Sequence, residues 1–219
     1  MAAFSLAQEM GAREVELDVR FSRDRRLVLC HDDGLDRLGY PGCFVSKMTL
    51  GELKSLDFGR WVRSQRFAGE RVITLDELLA HFARRLIYHV EIKDRAEGIE
   101  AAVLEVLSEH AVERQSVITS FDDERLQTVK RLSPQIAVGW LVRSGGLSKE
   151  NVKRAASLGF DQICPRANEI ELDQVSEAHR SIHEVRAFGV RTPDDALRVI
   201  ESGCDGLTID HLEWFIQDP

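Results

Sequence analysis

Apolar and polar positions follow two rhythms along this chain. Phe4, Leu6, Ala7 and Met10 recur at helical spacing and stop at Gly11, after which VELDVRF alternates with period two. The pattern predicts a short amphipathic helix and then a strand. The next apolar run, LVLC, follows so closely that residues 22–26 must form a compact connection, because a crossover helix does not fit there. A loop-rich stretch extends from 32 to 67, with Gly34, Gly39, Pro41 and Gly42 and a short helix starting near Thr49. Thr49 with Glu52, and Thr74 with Glu77 before LDELLAHFARR, stand at capping-box spacing.

From there the rhythm becomes regular. Strands are predicted at LIYHVEIK, SVITSF, IAVGWLV, FDQICP, EVRAFGV and CDGLTID, and helices at 99–110, 122–132, 149–158, 172–179 and 193–201. Pro193 suits the first turn of the last helix and Gly203 its end. Strands alternating with helices predict an α/β fold with a parallel sheet, and this many units predict closure into a barrel. Val28, Leu29, Ile92, Val117, Val138 and Ile163 are expected in its core.

Composition narrows the function classes. A length of 219 residues and 43% hydrophobic content permit a sizeable core in one domain. A net charge of -8 argues against a nucleic-acid or anionic-membrane surface, while leaving room for a small anionic substrate held through a metal. No apolar stretch reaches membrane-spanning length, and residues 1–11 lack the pattern of a signal peptide. Cys30, Cys43, Cys164 and Cys204 form no CxxC pair, which predicts a reduced, cytoplasmic setting. Cys30, inside LVLC, is expected to be a buried small hydrophobe.

The candidate chemistry sits where apolar runs end. Glu16 and Asp18 are two apart, so on a strand their carboxylates share a face. Two such anions repel, and a cation relieves the repulsion. Glu91, in HVEIK, would supply a third oxygen ligand, giving a set suited to Mg²⁺ or Ca²⁺ rather than zinc. The plainer alternative pairs Glu16 and Asp18 with Arg13 or Arg20 on a solvated edge. His31 emerges at a strand end, where a barrel enzyme places an acid or base, although a lone histidine there is more often a hydrogen-bonded structural residue. Lys93 shares the face of Glu91 and is placed either to contact a phosphoryl oxygen or to pair with Glu91 or Asp94. His81, His89, His110, His179, His183 and His211 are expected to be structural.

The ordered segments VELDV, CHDDGLDR, TLGELKSLDFGRW, FAGERVITLDELL, HVEIKD, SFDDERLQTVKRLSP and VRAFGVRTPDDALRVIESGCDGLTID resemble the glycerophosphodiester phosphodiesterase family over nearly the whole chain. The resemblance implies a TIM-type barrel that hydrolyses glycerophosphodiesters to glycerol 3-phosphate and an alcohol. It puts Glu16, Asp18 and Glu91 at metal-ligand positions, His31 at one of two catalytic histidines and Lys93 at a phosphate contact. Phe188 stands where the family usually has a tryptophan in the substrate pocket, Arg191 where it has asparagine, and Gly34 where it often has threonine.

Family members open with a strand carrying His-Arg-Gly and a Pro-Glu-Asn-Thr loop, whereas MAAFSLAQEMGARE corresponds to the helix that follows. The expectation is therefore one barrel domain over 1–219, incomplete at its N-terminal end, with the first strand and the first catalytic histidine missing. A barrel short of a strand exposes edges, so an opened sheet, a terminal segment filling the gap, or a homo-oligomer is expected. Three functional readings stay open: the hydrolase, with its rate lowered by the missing proton-transfer group; a noncatalytic metal-binding, ligand-binding or interaction protein derived from the family; and, ranked last, an unrelated barrel enzyme of sugar-phosphate metabolism, which fold alone would permit.

Overall fold

The computed structural model describes residues 1–60, 62 and 65–215. They fall into two compact units that divide after residue 116.

The first unit opens with α1 (Ala2–Glu9), ended by Gly11 at a φ of 94°. The amine of Met1 and the N–H of Ala2 reach Glu70 Oε2 at 3.2 and 3.3 Å. Strand β1 (Glu14–Phe21) follows, with Val15, Leu17, Val19 and Phe21 buried on one face. The compact connection then turns the chain back. Strand β2 (Leu27–Leu29) pairs antiparallel with β1, so the parallel rhythm is broken at this point. β3 (Ile87–Ile92) pairs parallel with β1 on the other side, giving the order β2-β1-β3.

Between β2 and β3 lies an excursion with its own small core of Val28, Leu35, Val45, Leu53 and Val72. Its helices start where the capping signals stand. Thr49 opens α2 (Leu50–Lys54) and Thr74 opens α3 (Leu75–Phe82), each as a complete capping box, and Lys54 pairs with Glu77 to tie the two together. Helix α4 (Ile99–Glu109) closes the unit, burying Ile99, Val103 and Leu107.

The second unit keeps the regular alternation. Strands β4 (Ser116–Ser120), β5 (Ala137–Leu141), β6 (Gln162–Cys164), β7 (Glu184–Ala187) and β8 (Gly206–Leu207) pair in sequence order, all parallel. Helices α5 (Asp123–Leu132), α6 (Lys149–Ser157), α7 (Leu172–Ala178) and α8 (Pro193–Glu201) connect them. Pro193 occupies the first turn of α8 and Gly203 follows its end at a φ of 80°. Of the predicted core residues, Val28, Ile92, Val117, Val138 and Ile163 are buried; Leu29, at the end of the short β2, is only half-buried.

Candidate metal and phosphate site

The site grows from the β1/β3 ribbon. Period two sends the apolar residues of β1 to one face and Glu14, Glu16, Asp18 and Arg20 to the other, while His89, Glu91 and Lys93 share a face around β3. Parallel register sets Asp18 beside Glu91 and Glu16 beside His89. Glu16, Asp18 and Glu91 consequently offer oxygen atoms that all lie within 4.8 Å of one another. Two oxygens bound to one Ca²⁺ stand at most about 5 Å apart, twice a Ca–O bond. The three carboxylates therefore fit a hard cation as they stand.

Asp18 Oδ1 strengthens that fit, because it is buried and accepts no hydrogen bond. Lys93 Nζ is 3.3 Å from it, and 2.8 Å from Glu91 Oε2. Burial pushes the Glu91 carboxyl above its usual range, and the ammonium of Lys93 only partly opposes this. Burial also works against the charge on Lys93, but Asp18 and Glu91 outweigh it and hold the ammonium above its ordinary value. Lys93 is thus a persistent cation inside an acidic cluster, with both of its predicted roles open to it: ion pair to Glu91 and contact for an incoming phosphoryl oxygen.

His31 reaches the same strand from the opposite side. The Cys30 N–H donates to the Asp18 carbonyl at 3.0 Å, and Arg20 donates to the His31 carbonyl through Nε at 3.2 Å and Nη2 at 2.9 Å. Arg20 is therefore engaged in locking the hairpin. The exposed His31 ring places Nδ1 2.7 Å from Asp32 Oδ1, and the other Asp32 oxygen accepts from Arg37 Nη1 at 3.0 Å. A carboxylate only accepts, so Nδ1 carries the proton and Nε2 is the nitrogen left for exchange. Partial burial raises the Asp32 carboxyl, but the hydrogen bond and charge of His31 and the charge of Arg37 outweigh it and bring it below the usual carboxylate range. Cys30 is only half-buried rather than buried, yet desolvation pushes its thiol up to about 11, which suppresses the thiolate.

Phe188 lies in the second unit, directly after β7, and stacks edge-on against Phe121 at 5.3 Å between centroids. Arg166 lies over the Phe188 ring at 5.0 Å and Arg143 over the Phe121 ring at 4.7 Å. Sequence reasoning passed over these two arginines and Phe121; their signal was position, one or two residues beyond a strand's C-terminal end. Arg191 uses its backbone N–H to meet Asp195 Oδ2 at 3.3 Å, at the start of α8. The other histidines have local partners: His89 with Glu14 at 2.9 Å, His110 with Asp76 at 2.9 Å, His179 with Asp205 at 2.8 Å and His211 with Glu213 at 2.8 Å, while His81 packs on Phe82 and His183 is 3.7 Å from Glu184. His89 is the one that shares the acidic face of the ribbon. Among the described residues, no helix is long and apolar enough to cross a membrane.

Residues 1–214 match the model of the glycerophosphoryl diester phosphodiesterase family. A glycerophosphodiester phosphodiesterase of Caldanaerobacter subterraneus subsp. tengcongensis is 30% identical over 99% of this chain and 89% of its own length. One from Bacillus subtilis is 31% identical over 97% of this chain and 78% of its own. Among solved structures, an Oleispira antarctica phosphodiesterase in complex with the product sn-glycerol-3-phosphate is similar with a TM-score of 0.84 and 30% identity, over 94% of this chain and 84% of that one. A glycerophosphodiester phosphodiesterase from Agrobacterium tumefaciens is similar with a TM-score of 0.82 and 26% identity, over 98% of this chain and 90% of that one. The fold is thereby of the α/β, TIM-type barrel class.

Proposed function

Because the chain belongs to the glycerophosphoryl diester phosphodiesterase family, whose members are phosphoric diester hydrolases, we propose that it hydrolyses glycerophosphodiesters to glycerol 3-phosphate and an alcohol, with a divalent cation, Mg²⁺ or Ca²⁺, held by Glu16, Asp18 and Glu91. The observation that carries the metal reading is the convergence of three carboxylates on one point, with a buried Asp18 oxygen that no hydrogen bond satisfies. The product bound to the similar Oleispira phosphodiesterase supports the reaction.

The chemistry supplied at that centre is polarisation of a nonbridging phosphoryl oxygen. The chain's own residues do the rest. Lys93 offers a compact ammonium to the charge that builds on the phosphoryl oxygens, already held in place by its two carboxylate neighbours. His31 exchanges a proton through Nε2 with the attacking or departing oxygen, while Asp32 fixes the ring and Arg37 fixes Asp32. The four free cysteines support a reducing, cytoplasmic setting.

Purified protein assayed with glycerophosphoglycerol and either cation tests the reading. We expect release of glycerol 3-phosphate that EDTA abolishes, and a fall in kcat of roughly 10²- to 10⁴-fold in His31→Ala. If the wild type releases no product at any cation concentration, or His31→Ala matches it, hydrolysis by this site is wrong. Calorimetric metal binding without turnover would then favour the noncatalytic reading.

A further inference from the structure

His31 stands just past a strand of three residues. The ladder of β2 on β1 covers Val19↔Leu29, Arg20↔Val28 and Phe21↔Leu27, and the Cys30 N–H adds a last main-chain bond to the Asp18 carbonyl. Beyond it the chain enters the loop that opens the excursion. Asp32 holds the His31 ring, but it is the next residue in the chain, and Arg37, which braces Asp32, belongs to the same loop. That clamp fixes the ring to the loop and moves with it. Further along, Asp33 accepts from the Ser46 N–H at 2.8 Å and its hydroxyl at 2.9 Å, and the Leu35 N–H donates to the Cys43 carbonyl at 2.9 Å. These bonds fasten the loop to residues 43–46, and neither they nor the ring clamp set a distance from His31 to β1.

Arg20 does. It lies on the face of β1 that carries Glu16 and Asp18, two residues beyond Asp18. Half-buried, it directs two donors at one acceptor, Nε at 3.2 Å and Nη2 at 2.9 Å from the His31 carbonyl oxygen. Other arginines of this unit also meet carbonyls, Arg23 that of Lys47, Arg25 that of Glu97 and Arg71 that of Ser55, but those acceptors belong to none of the candidate site residues. A planar guanidinium with two N–H groups on one oxygen fixes direction as well as distance, which a single donor does not. The ring so placed is felt by the acidic cluster: burial raises the Glu91 carboxyl, and Lys93 and then the charge of His31 oppose it.

Building on the hydrolytic reading above, we propose that Arg20 is a positioning residue for His31: it pins the His31 peptide to the strand that bears Glu16 and Asp18, and so sets where the imidazole stands relative to the reacting phosphodiester. Arg20→Met keeps the stem and removes every donor. A misplacement on the order of 1 Å costs about 10²-fold in rate, so kcat for glycerophosphoglycerol should fall by roughly that factor. Arg20→Lys, with the charge but without the planar fork, should recover part of the loss.

The decisive readout is a cycle with His31→Ala. A residue that acts through His31 has nothing left to act on once the ring is gone, so Arg20→Met should lower kcat in the wild-type background and leave it within about twofold in the His31→Ala background. Calorimetric Mg²⁺ affinity should be no weaker in Arg20→Met than in the wild type, since all three carboxylates remain. The Asp32 amide shares a peptide plane with the His31 carbonyl, so its NMR order parameter should fall from about 0.85 toward 0.6 in Arg20→Met while that of the Asp18 amide holds. An unchanged kcat, an equal loss in both backgrounds, weakened Mg²⁺ binding or an Asp32 amide as rigid as in the wild type would overturn the proposal. If Arg20→Met does not fold, the same cycle and relaxation measurement on Arg20→Lys decide it. If the wild type turns over no glycerophosphodiester, the hydrolytic reading fails instead, and the Asp32 amide alone decides whether Arg20 holds the His31 peptide.

Discussion

The Lys93 ammonium is the only basic group placed between Asp18 and Glu91 by the ion pairs of the described residues, and its removal gives a worked test of the site's electrostatics. Lys93→Met keeps the length of the stem and deletes the charge. It leaves three carboxylates within 4.8 Å of one another, with the Glu91 side chain only 7% exposed and that of Asp18 15%. Removing one partner of a buried ion pair costs about 3–5 kcal/mol, and the residual exposure argues for the lower end. In a chain of this size each kcal/mol moves Tm by about 2–4 °C, so a loss of roughly 6–12 °C is expected in EDTA.

Two further signatures separate this from a simple packing defect. A divalent cation at a hundred times its Kd returns about 2.7 kcal/mol, so added Mg²⁺ or Ca²⁺ should recover much of the loss, and should shift the variant more than the wild type, whose ammonium repels the ion. The deficit should also depend on pH in a definite direction. Glu91 already has a folded pKa raised above its ordinary 4.5, and losing Lys93 raises it further. A raised carboxyl contributes stability that is present below the unfolded value and lost as pH rises through the folded one, so the deficit should be larger at pH 8 than at pH 5. Thermal unfolding with and without cation, at both pH values, is the assay. A variant that melts with the wild type in EDTA, or gains no more than the wild type from the cation, refutes the reasoning.

Thr74→Ala breaks the capping box of α3 and should cost about 1 kcal/mol, read as a lower urea midpoint, with Thr74→Ser restoring it. In Gly139→Ala the new Cβ would lie 2.9 Å from Gln162 Oε1 and 3.2 Å from Thr119 Cγ2, so overpacking of about 1–3 kcal/mol is expected; an unshifted midpoint would show that the β4/β5/β6 contact is looser than this. Burial raises the Asp205 carboxyl, but the Val185 N–H and His179 outweigh it and leave the group below its ordinary value. Its contribution is present above the unfolded value of 3.8 and is lost as pH falls through the lowered folded value. Asp205→Asn should therefore shallow the acid side of the stability profile, and an identical profile would contradict this role.

Much of this was legible because the relevant physics is local. Capping boxes need only residues three apart, so Thr49, Thr74 and their glutamates marked helix starts without any knowledge of tertiary structure. The shared face of Glu16 and Asp18 follows from strand geometry alone. The arrival of Glu91 does not, because it depends on the Asp18–Glu91 register, a pairing of residues seventy-three positions apart. The turn into β2 was legible as a compact connection from its shortness, but not in its backbone form: Arg25 holds its positive φ of 58° without the glycine or asparagine that usually announces one. Arg143 and Arg166 stayed hidden for a third reason. Their meaning lies in stacking partners from other strand ends, and no spacing within one segment encodes that.

The antiparallel hairpin departs from the regular alternation, and it carries His31, the proton-transfer residue of the proposed reading, just beyond the end of β2. β1 runs outward to Phe21; β2 begins opposite it at Leu27 and runs back to Leu29 opposite Val19, which brings Cys30 level with Asp18, with His31 next along the chain. A parallel strand after so short a connection is sterically excluded, and a longer crossover would deliver its end by a separate register. The position of His31 is thus counted residue by residue from Asp18 through three ladder pairs. Inserting one alanine between Leu29 and Cys30 shifts His31 by one place and turns it to the opposite face. Such a variant should keep its far-ultraviolet circular dichroism and its cation-dependent rise in Tm, since Glu16, Asp18 and Glu91 are untouched, while kcat drops to the level of His31→Ala. Retention of wild-type turnover would mean that His31 does not act from this register.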